Sequence, residues 1–252
     1  MRGVVDLITQ LHFHVHRAEG IRLDASWGYW FYAALMEHLP LEVAEQFHQS
    51  DRTPLSQYLR LPTRENCSLD WVVNIFGDDV EAAVVPRLET LTELQLRCCA
   101  QPFHLALDSR IHYEDANAFW NHAAGLPDAA SHRLHLLTPT AFRSNERFVI
   151  FPDVHLILQS LLSRWNRMAP DLQVCDSDVL NLLEAQIWIR DYRLQTHRFD
   201  LKSQRIPGFS GMLWLQNRLP APLMEIWKGL LYFSTFSGLG VKTALGMGAV
   251  AL

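Results

Sequence analysis

Near its carboxyl end the chain holds the residues whose types and spacing point most directly to binding chemistry. The stretch FSGLGVKTALGMG places two Gly-x-Gly pairs five residues apart, on either side of one lysine. Glycine permits positive φ and lets backbone N–H groups converge on an anion, and lysine adds a point charge. We therefore predict an anion-binding loop formed by Gly238, Gly240, Lys242, Gly246 and Gly248. The alternative is a glycine-bent hairpin beside a sheet.

Two common glycine motifs do not account for this stretch. A P-loop has glycine directly before its lysine, and here Val241 stands at that position. A dinucleotide-binding fingerprint has a third glycine where this chain has Thr243, and a helix follows it. The predicted loop therefore differs from both of these phosphate-binding motifs.

Histidine is the side chain best suited to proton transfer near neutral pH, and the chain contains 12 of them. His12, His14 and His16 alternate along a predicted strand, with successive members about 6.8 Å apart. A single metal ion needs tighter convergence and further ligands, so we interpret this row as a polar sheet face. We expect neither a metal site nor a cofactor.

The 4 cysteines form no C-x-x-C pair, which argues against a zinc ribbon or a redox motif. A reduced cytoplasmic protein is the natural interpretation of this cysteine usage.

The elements that would position these residues follow the order β-α-β-(β)-α-β in the first half of the chain, which is that of a ferredoxin-like unit. The assignments rest on apolar alternation for strands and on helical spacing for helices. The predicted elements are a strand over 4–16, helices over 26–38 and 40–49, a strand over 69–76, a helix over 78–91 and one or two strands within 94–113.

The second half shows a similar coarse pattern, after a polar and poorly patterned stretch at 114–131. Its predicted elements are a strand near 133–137, an extended pair around 139–151, helices over 153–168 and 176–184, strands over 186–199 and 211–216, a helix over 221–233 and a short strand within 247–252. The sequence therefore predicts an α+β protein with an amino-terminal domain over 1–120 and a carboxyl-terminal domain over 131–252.

Length and composition agree with a globular protein of this kind. The chain has 252 residues, of which 49% are apolar and 19% are charged, close to ordinary globular usage. No apolar run reaches the ~18 residues that a membrane span needs.

The charge is unevenly distributed along the chain. The net charge of −5 argues against a simple polyanion binder, but the first 130 residues carry −9 and the remainder +4. Of the 22 basic residues, 19 are arginine, which binds phosphate bidentately and stacks on bases. This choice favours nucleic acid as a partner, although compositional drift of the source genome would also produce it.

The two Gly-hydrophobic-Gly pairs at the carboxyl end resemble the RAMP superfamily of CRISPR-associated proteins, in particular the repeat-processing endoribonuclease that cuts precursor CRISPR RNA. Three other stretches share the resemblance: LTPTAFR at 137–143, Phe151 and Pro152 before an apolar helix, and PGFSG at 207–211. The resemblance covers the second half, and in the first half it rests on element order and one histidine. It implies two tandem ferredoxin-like (βαββαβ) domains of RAMP type.

The resemblance also implies a catalytic histidine after the first helical region, where this chain has His48. Such enzymes need no metal, because the 2′-OH beside the scissile phosphate is an internal nucleophile, which leaves a 2′,3′-cyclic phosphate and a 5′-OH. At a helix carboxyl end the imidazolium form is favoured, which suits a proton donor. Tyr32 and Arg52 are the supporting candidates. The helical pattern alone leaves a packed core histidine open, because His48 shares the apolar side with Phe47.

Basic side chains interleaved with aromatic ones mark residues 190–205, a combination that suits phosphate contact and base stacking. The alternative is a solvated strand edge on which positive charge discourages aggregation. The candidate RNA-binding residues outside the glycine loop are Arg143, Arg190, Arg193, Arg198, Lys202 and Arg205.

Two other function classes stay open. A RAMP-type subunit could hold RNA in a CRISPR complex without cutting it, since the acidic first domain could bind a basic partner. A ferredoxin-like metabolic enzyme could bind a small anion at the glycine loop. The resemblance implies CRISPR repeat RNA as the partner, allows other CRISPR effector subunits as further partners, and leaves monomer and homodimer open.

Overall fold

The computed structural model describes residues 7–16, 21–49, 53–63, 68–174, 177–202 and 204–252. The chain divides into two compact units. The first comprises Met1–Glu114 with Ala244–Gly246, and the second comprises Asp115–Thr243 with Met247–Leu252. Within the described ranges, no helix is both long enough and apolar enough to cross a bilayer.

In its described residues, the first unit contains five strands and three helices. They are β1 (Ile8–His16), α1 (Gly28–His38), α2 (Leu41–Gln49), β2 (Leu55–Arg60), β3 (Asp70–Phe76), α3 (Asp78–Glu89), β4 (Glu93–Leu94) and β5 (Phe103–Tyr113), with a 3-10 turn at Ala25–Trp27 before α1. The strands form one antiparallel sheet in the order β2-β3-β1-β5-β4.

Alternation along β1 gives this sheet two different faces. Phe13 is fully buried, whereas His14 and His16 are exposed. Phe13 packs on Trp71 of β3 with ring centroids 5.5 Å apart, and Phe31 of α1 contacts the same indole at 5.4 Å. Buried aromatic rings of this size remove the most apolar area from water, so this cluster is the centre of the first core.

A buried glutamine connects three parts of the first unit. The side-chain amide of Gln57 on β2 donates to the carbonyl oxygens of Gly28 and Ala244, at 2.9 Å each. Its carbonyl oxygen accepts from the indole Nε1 of Trp71 at 2.8 Å. Gln57 is only 1% exposed, so these hydrogen bonds replace those that water would otherwise provide.

The part of the second unit that the structure describes contains six strands and four helices. They are α4 (Ala116–Ala124), β6 (Ser131–Thr140), β7 (Phe142–Ser144), β8 (Arg147–Val149), α5 (Val154–Met168), α6 (Ser177–Gln186), β9 (Ile187–Asp200), β10 (Arg205–Asn217), α7 (Ala221–Ser237) and β11 (Val250–Ala251). The main sheet has the antiparallel order β11-β6-β10-β9, and β7 with β8 forms a separate hairpin.

The core of the second unit is formed by aromatic side chains from three helices. Phe119 of α4 lies 5.7 Å from Trp165 of α5 and 5.5 Å from Phe236 of α7, measured between ring centroids. Leu134 on β6 and Leu213 on β10 are fully buried beside them in the sheet. The amphipathic pattern of α5 is therefore explained by burial of its apolar side.

Both units have the β-α-β-β-α-β order, and in both sheets the first and third strands lie in the centre, between the second and the fourth. The short β4 is an added edge strand in the first sheet. This topology confirms the predicted fold of two tandem ferredoxin-like units.

Two elements were not anticipated from the sequence. Strand β2 has no polar-apolar alternation, because Ser56 and Gln57 are buried together with their apolar neighbours. Helix α4 lies in the stretch interpreted as a polar boundary. Its carboxylate cap, Asp115, accepts from the backbone N–H of Ala118 at 2.7 Å, and its Phe119 is fully buried. A cap followed by an apolar residue at helical spacing was the available signal.

We predict that Gln57→Leu destabilises the protein by about 2–4 kcal/mol, because it leaves two buried carbonyl oxygens and one indole N–H without their partner. Urea unfolding monitored by tryptophan fluorescence measures the change. The matched control is Gln101→Leu at an exposed turn, which we expect to stay within about 0.5 kcal/mol of the original protein. Equal stabilities for the two variants would contradict this role of Gln57.

Candidate functional site

The glycine-rich carboxyl-terminal segment, residues 238–248, lies directly against the end of β6. The backbone N–H of Val241 donates to the carbonyl of Ala141, and that of Gly248 donates to the carbonyl of Pro139. A Cβ on Gly240 would lie 2.1 Å from the oxygen of Ala141, and a Cβ on Gly248 would lie 2.0 Å from that of Leu239. Both glycines also have positive φ. Only glycine fits this approach of one backbone to another.

Three of the stretches that carried the family resemblance thus meet in one place. Residues 137–143 hydrogen-bond to the carboxyl-terminal segment, and Phe209 of the stretch 207–211 is paired with Thr140 in the sheet. Gly208 belongs to the same cluster, since a Cβ there would lie 3.0 Å from the oxygen of Thr140. Their joint occurrence in the sequence reflects mutual packing.

An arginine that the sequence did not single out holds the carboxyl-terminal segment on α5. The guanidinium of Arg164 donates to the carbonyl of Ser237, to that of Gly240 and to the hydroxyl of Thr243. One helical turn earlier, the hydroxyl of Ser160 accepts from the backbone N–H of Gly240 at 3.0 Å. Charge-assisted bonds of this kind are stronger than neutral ones, so α5 fixes the course of the segment.

These contacts determine what the carboxyl-terminal segment can present to a ligand. The N–H groups of Gly238, Gly240 and Gly248 all donate within the chain, so they are not directed together at an outside anion. Lys242 is exposed and has a φ of 58°. Gly246, whose φ is also positive, lies against Gly28 in the first unit. The segment therefore offers a rigid backbone surface and one ammonium group.

His48, the predicted catalytic histidine, lies in the last turn of α2. The same helix buries Ala44 and Phe47 in the core of the first unit. Arg52 lies outside the described residues. The partial negative charge at a helix carboxyl end favours a protonated imidazole, so the backbone position of His48 agrees with the predicted proton donor.

Tyr32 of α1 is buried, and its phenol hydrogen-bonds with the hydroxyl of Thr53. That hydroxyl also donates to the carbonyl of Phe47 at 3.5 Å, next to His48 in the chain. Burial raises the pKa of the Tyr32 phenol, and the bond with Thr53 offsets part of this rise. The phenol is therefore protonated at neutral pH and can donate a hydrogen bond, but it is not a general base there.

The basic residues predicted along 190–205 are all exposed, on β9, in the turn after it or at the start of β10, and Arg143 is exposed on the hairpin. The register of β9 with β10 places these residues on different faces of the sheet. Arg193 is opposite Met212 and Arg198 is opposite Pro207, and an odd spacing along a strand puts side chains on opposite faces. Arg205 forms an ion pair with Asp200 at 2.7 Å. The structure thus distributes these residues over two faces and a turn.

One face of the second sheet carries basic and aromatic side chains in register. Trp214 on β10 is opposite Arg133 on β6, and the guanidinium of Arg193 lies 5.8 Å from the centre of the Trp214 ring. His135 follows on β6, where burial lowers its pKa and the charge of Arg133 lowers it further. Arg133 and His135 alternate with buried Leu134 on β6. This two-residue periodicity is the sequence signal that could have identified the face.

In the first unit, His14 is hydrogen-bonded between two carboxylates. Its Nδ1 lies 2.8 Å from Asp70 and its Nε2 lies 3.3 Å from Asp108. The hydrogen bond with Asp70 raises the pKa of His14, and the charge of Asp108 raises it further. His12 differs, because burial lowers its pKa. In the part of the chain that the structure describes, no three His, Cys, Asp or Glu side chains converge as a metal site requires.

Comparison with known proteins assigns this architecture to a family. The family model described as CRISPR-associated endoribonuclease Cas6 matches residues 134–250. The CRISPR-associated endoribonuclease Cas6 of Streptococcus thermophilus is 31% identical over 223 residues, which cover 88% of this chain and 89% of the relative. The chain belongs to the Cas6 family.

Solved Cas6 structures share the fold along the whole chain. A Cas6 product complex superposes with a TM-score of 0.75 at 22% identity, covering 97% of this chain and 98% of the other. Cas6 of Thermus thermophilus gives 0.70 at 22% identity, with 100% and 99% covered. The RAMP-type tandem ferredoxin-like fold predicted from the sequence is therefore confirmed.

Family membership makes this Cas6 protein a CRISPR-associated endoribonuclease. The matched range contains the carboxyl-terminal segment, β9 and the hairpin. Helix α2 with His48 lies outside that range. Its likeness to Cas6 proteins rests on the comparison that covers the whole chain. The individual assignments of His48, Tyr32, Arg52 and the RNA-binding residues stay predictions.

We predict that Gly240→Ala in this Cas6 protein costs more than about 3 kcal/mol of stability, because the added methyl group would overlap the oxygen of Ala141. Gly77→Ala is the matched control, since Gly77 also has a positive φ but nothing lies within 4 Å of its Cβ position. There we expect only the backbone strain of about 1–3 kcal/mol that a side chain meets at a φ of 90° and a ψ of 147°. Urea unfolding of both variants measures the difference, and equal costs would refute the steric argument.

We also predict a pH-dependent contribution from His14. Because its folded-state pKa is raised, the stabilisation is complete below the unfolded value of about 6.5 and is lost as the pH rises through the folded value. The stability loss of His14→Asn should therefore be larger at pH 5.5 than at pH 8.5, yet below about 1 kcal/mol for this half-exposed pair. Urea unfolding at the two pH values measures it.

The control for His14 is His16→Asn, at the exposed end of the same strand. This variant measures any pH-dependent change in stability that is common to substitutions on β1. A stability loss for His14→Asn that is larger at the higher pH would contradict the raised pKa.

Proposed function

We propose that this Cas6 protein cuts precursor CRISPR RNA within its repeats, without a metal ion. The 2′-OH next to the scissile phosphate attacks the phosphorus, the 5′-oxygen leaves, and the products carry a 2′,3′-cyclic phosphate and a 5′-OH. The proposal is supported by membership of an endoribonuclease family and by the solved product complex of a relative. RNA supplies the nucleophile itself, so the protein must supply proton transfer and positive charge.

The observation that carries the mechanism is the position of His48 in the last turn of α2. The helix dipole favours the imidazolium there. An imidazolium can give its proton to the leaving 5′-oxygen, which is the step that a weakly acidic leaving group most needs. We therefore assign to His48 the role of general acid.

Tyr32 and Arg52 are proposed to assist. Because the Tyr32 phenol is protonated at neutral pH, we propose that on RNA binding it exchanges its hydrogen bond with Thr53 for one donated to the reacting phosphate, rather than abstracting a proton. Its bond with Thr53 connects it to the chain next to α2. Arg52 is proposed to balance the charge that develops on the phosphate oxygens, as arginine does where phosphate is bound.

RNA binding is assigned mainly to the second unit, where the sequence carries its excess of positive charge. Neutralising phosphates releases counterions, so each cation that contacts RNA adds to affinity at low salt. We propose that Lys242 contacts the ribose–phosphate chain from the segment whose course is set by Gly238, Gly240, Gly246 and Gly248. The other proposed contacts are Arg143, Arg190, Arg193, Arg198, Lys202 and Arg205.

The alternative is a Cas6-like subunit that holds CRISPR RNA in a larger complex without cutting it. The acidic first half of the sequence, with its charge of −9 up to residue 130, is the feature that favours binding to basic effector subunits. We place either activity in the cytoplasm. Cleavage by the purified protein alone separates the two functions.

We predict that His48→Ala lowers the rate of repeat-RNA cleavage by at least about 10²-fold, the usual contribution of a positioned proton donor. Binding of the same RNA should stay within about tenfold, or ~1.4 kcal/mol. Cleavage is measured with end-labelled repeat RNA in excess EDTA, and the chemical nature of the product ends is determined in the same reactions. Binding is measured by filter retention.

His155→Ala is the matched control, because His155 lies on α5 in an exposed pair with Glu184. We expect it to cleave at the original rate. Cleavage by His48→Ala at the original rate would make His48 a packing residue. Binding without any cleavage by the original protein would favour the non-catalytic subunit, and a strict requirement for Mg²⁺ or Mn²⁺ would overturn the mechanism.

A further inference from the structure

The exposed aromatic side chains of the second unit are concentrated in one area. Among the described residues, nine large apolar side chains are exposed, and the three aromatic ones are Phe148, Phe151 and Tyr192, at 38%, 56% and 50%. The six others are aliphatic and include Ile150, which lies between the first two. Exposed aromatic residues gathered in one area are the usual mark of a binding surface.

These three residues are held together by the fold. The rings of Phe151 and Tyr192 meet edge to face, with centroids 5.7 Å apart and an angle of 85° between their planes. Phe148 is three residues before Phe151, so their Cα atoms are at most about 11 Å apart. We call Phe148, Phe151 and Tyr192 the aromatic platform.

The aromatic platform is bordered by arginines. Arg143 is paired with Phe148 across the β7–β8 hairpin, and Arg147 precedes Phe148 in the chain. Arg190 is two residues before Tyr192, next to the irregularity in the β9–β10 register. In the described ranges, none of the three guanidinium groups forms an ion pair with a carboxylate.

Three acidic residues lie close to the aromatic platform in sequence. Glu146 is in the hairpin turn, where its φ of 63° follows the φ of 47° at Asn145. Asp191 uses one carboxylate oxygen to accept the backbone N–H of Tyr192 at 2.8 Å. Asp153, two residues after Phe151, accepts the backbone N–H of Leu156 at 2.9 Å as the cap of α5. Two of the three carboxylates therefore already accept backbone N–H groups, whereas the three guanidinium groups form no ion pair in the described ranges.

We infer that the aromatic platform binds unpaired nucleotides of the RNA substrate by stacking, which deepens and rests on the proposed function. Exposed π-faces bordered by guanidinium groups are complementary to bases attached to phosphates. Bases within a duplex are stacked on each other and offer no free face, so the occupant is single-stranded RNA. The arginines bind its phosphates and the rings bind its bases.

The inference is tested with repeat RNA transcribed from the CRISPR array of the source genome, used single-stranded and annealed to its complement. Tyr192→Ala and Phe151→Ala should each weaken binding of the single-stranded RNA about tenfold, within the range known for one stacked base. Binding of the annealed RNA should be unchanged. Because stacking releases no counterions, the slope of log affinity against log salt should also be unchanged.

Three further variants make the result specific. Tyr192→Phe keeps the ring and should bind within about twofold of the original protein. Arg190→Ala should reduce the salt slope by about one, as expected for a phosphate contact. Leu182→Ala removes an equally exposed apolar side chain, 51% accessible, from α6 and should change nothing.

Original affinity in both alanine variants would overturn the aromatic platform and would leave repeat-RNA cleavage standing, since the original protein still binds. An original protein that binds no repeat RNA would overturn the proposed function itself. If an alanine variant melts at a lower temperature than the original, Tyr192→Leu replaces it, because leucine keeps the apolar contact with Phe151 but offers no π-face. Loss of affinity in that variant supports stacking, and retention contradicts it.

Discussion

The structure depends on the approach of two backbones at distances that only glycine allows. At Gly240 and Gly248, the space of a side chain is occupied by carbonyl oxygens of Ala141 and Leu239. This contact joins the end of β6 to the carboxyl-terminal segment, and Arg164 secures it from α5 with bonds to two carbonyl groups and a hydroxyl. Without this contact, the carboxyl-terminal segment would not bring β11 to its position beside β6. The spacing of the glycines is thus a packing requirement first, and any part in binding RNA is built on that geometry.

The same constraint separates two tasks that a glycine-rich sequence can perform. When N–H groups converge on an anion, the backbone itself is the ligand set. Here the N–H groups of Gly238, Gly240 and Gly248 are used to close the fold, and the exposed ammonium of Lys242 is the charge that remains. In the binding mode that we propose, affinity for RNA then rests on side chains: arginines on β9 and the hairpin, and the exposed rings beside them. Such a surface is positively charged in the second unit, whereas the first unit contributes the histidine-bearing helix.

The fold was largely predictable because most of its elements show regular periodicity. The alternation of Phe13 with His14 identifies β1, and the apolar stripe ending at Trp165 identifies α5. Strand β2 was not predicted, because its polar Gln57 is buried by partners that are distant in sequence. The role of Arg164 was not predicted either, because the sequence alone does not show that a charged residue on a helix faces carbonyl groups of a distant segment. His48 was nominated by the family resemblance, because the helical pattern alone left a packed core histidine open, and contacts such as that of Thr53 with Phe47 depend on tertiary structure.

The three residues Ala244–Gly246 have a consequence for biosynthesis. They belong to the first unit, and the amide of Gln57 bonds to Ala244 across a separation of 187 residues. The ribosome synthesises the first 114 residues long before these three. The surface formed by Gly28 and Gln57 therefore stays uncovered until the end of synthesis. Contacts this distant in sequence are slow to form. The first unit can therefore be completed only after the carboxyl-terminal segment has been synthesised, and a prematurely terminated product would leave both units incomplete.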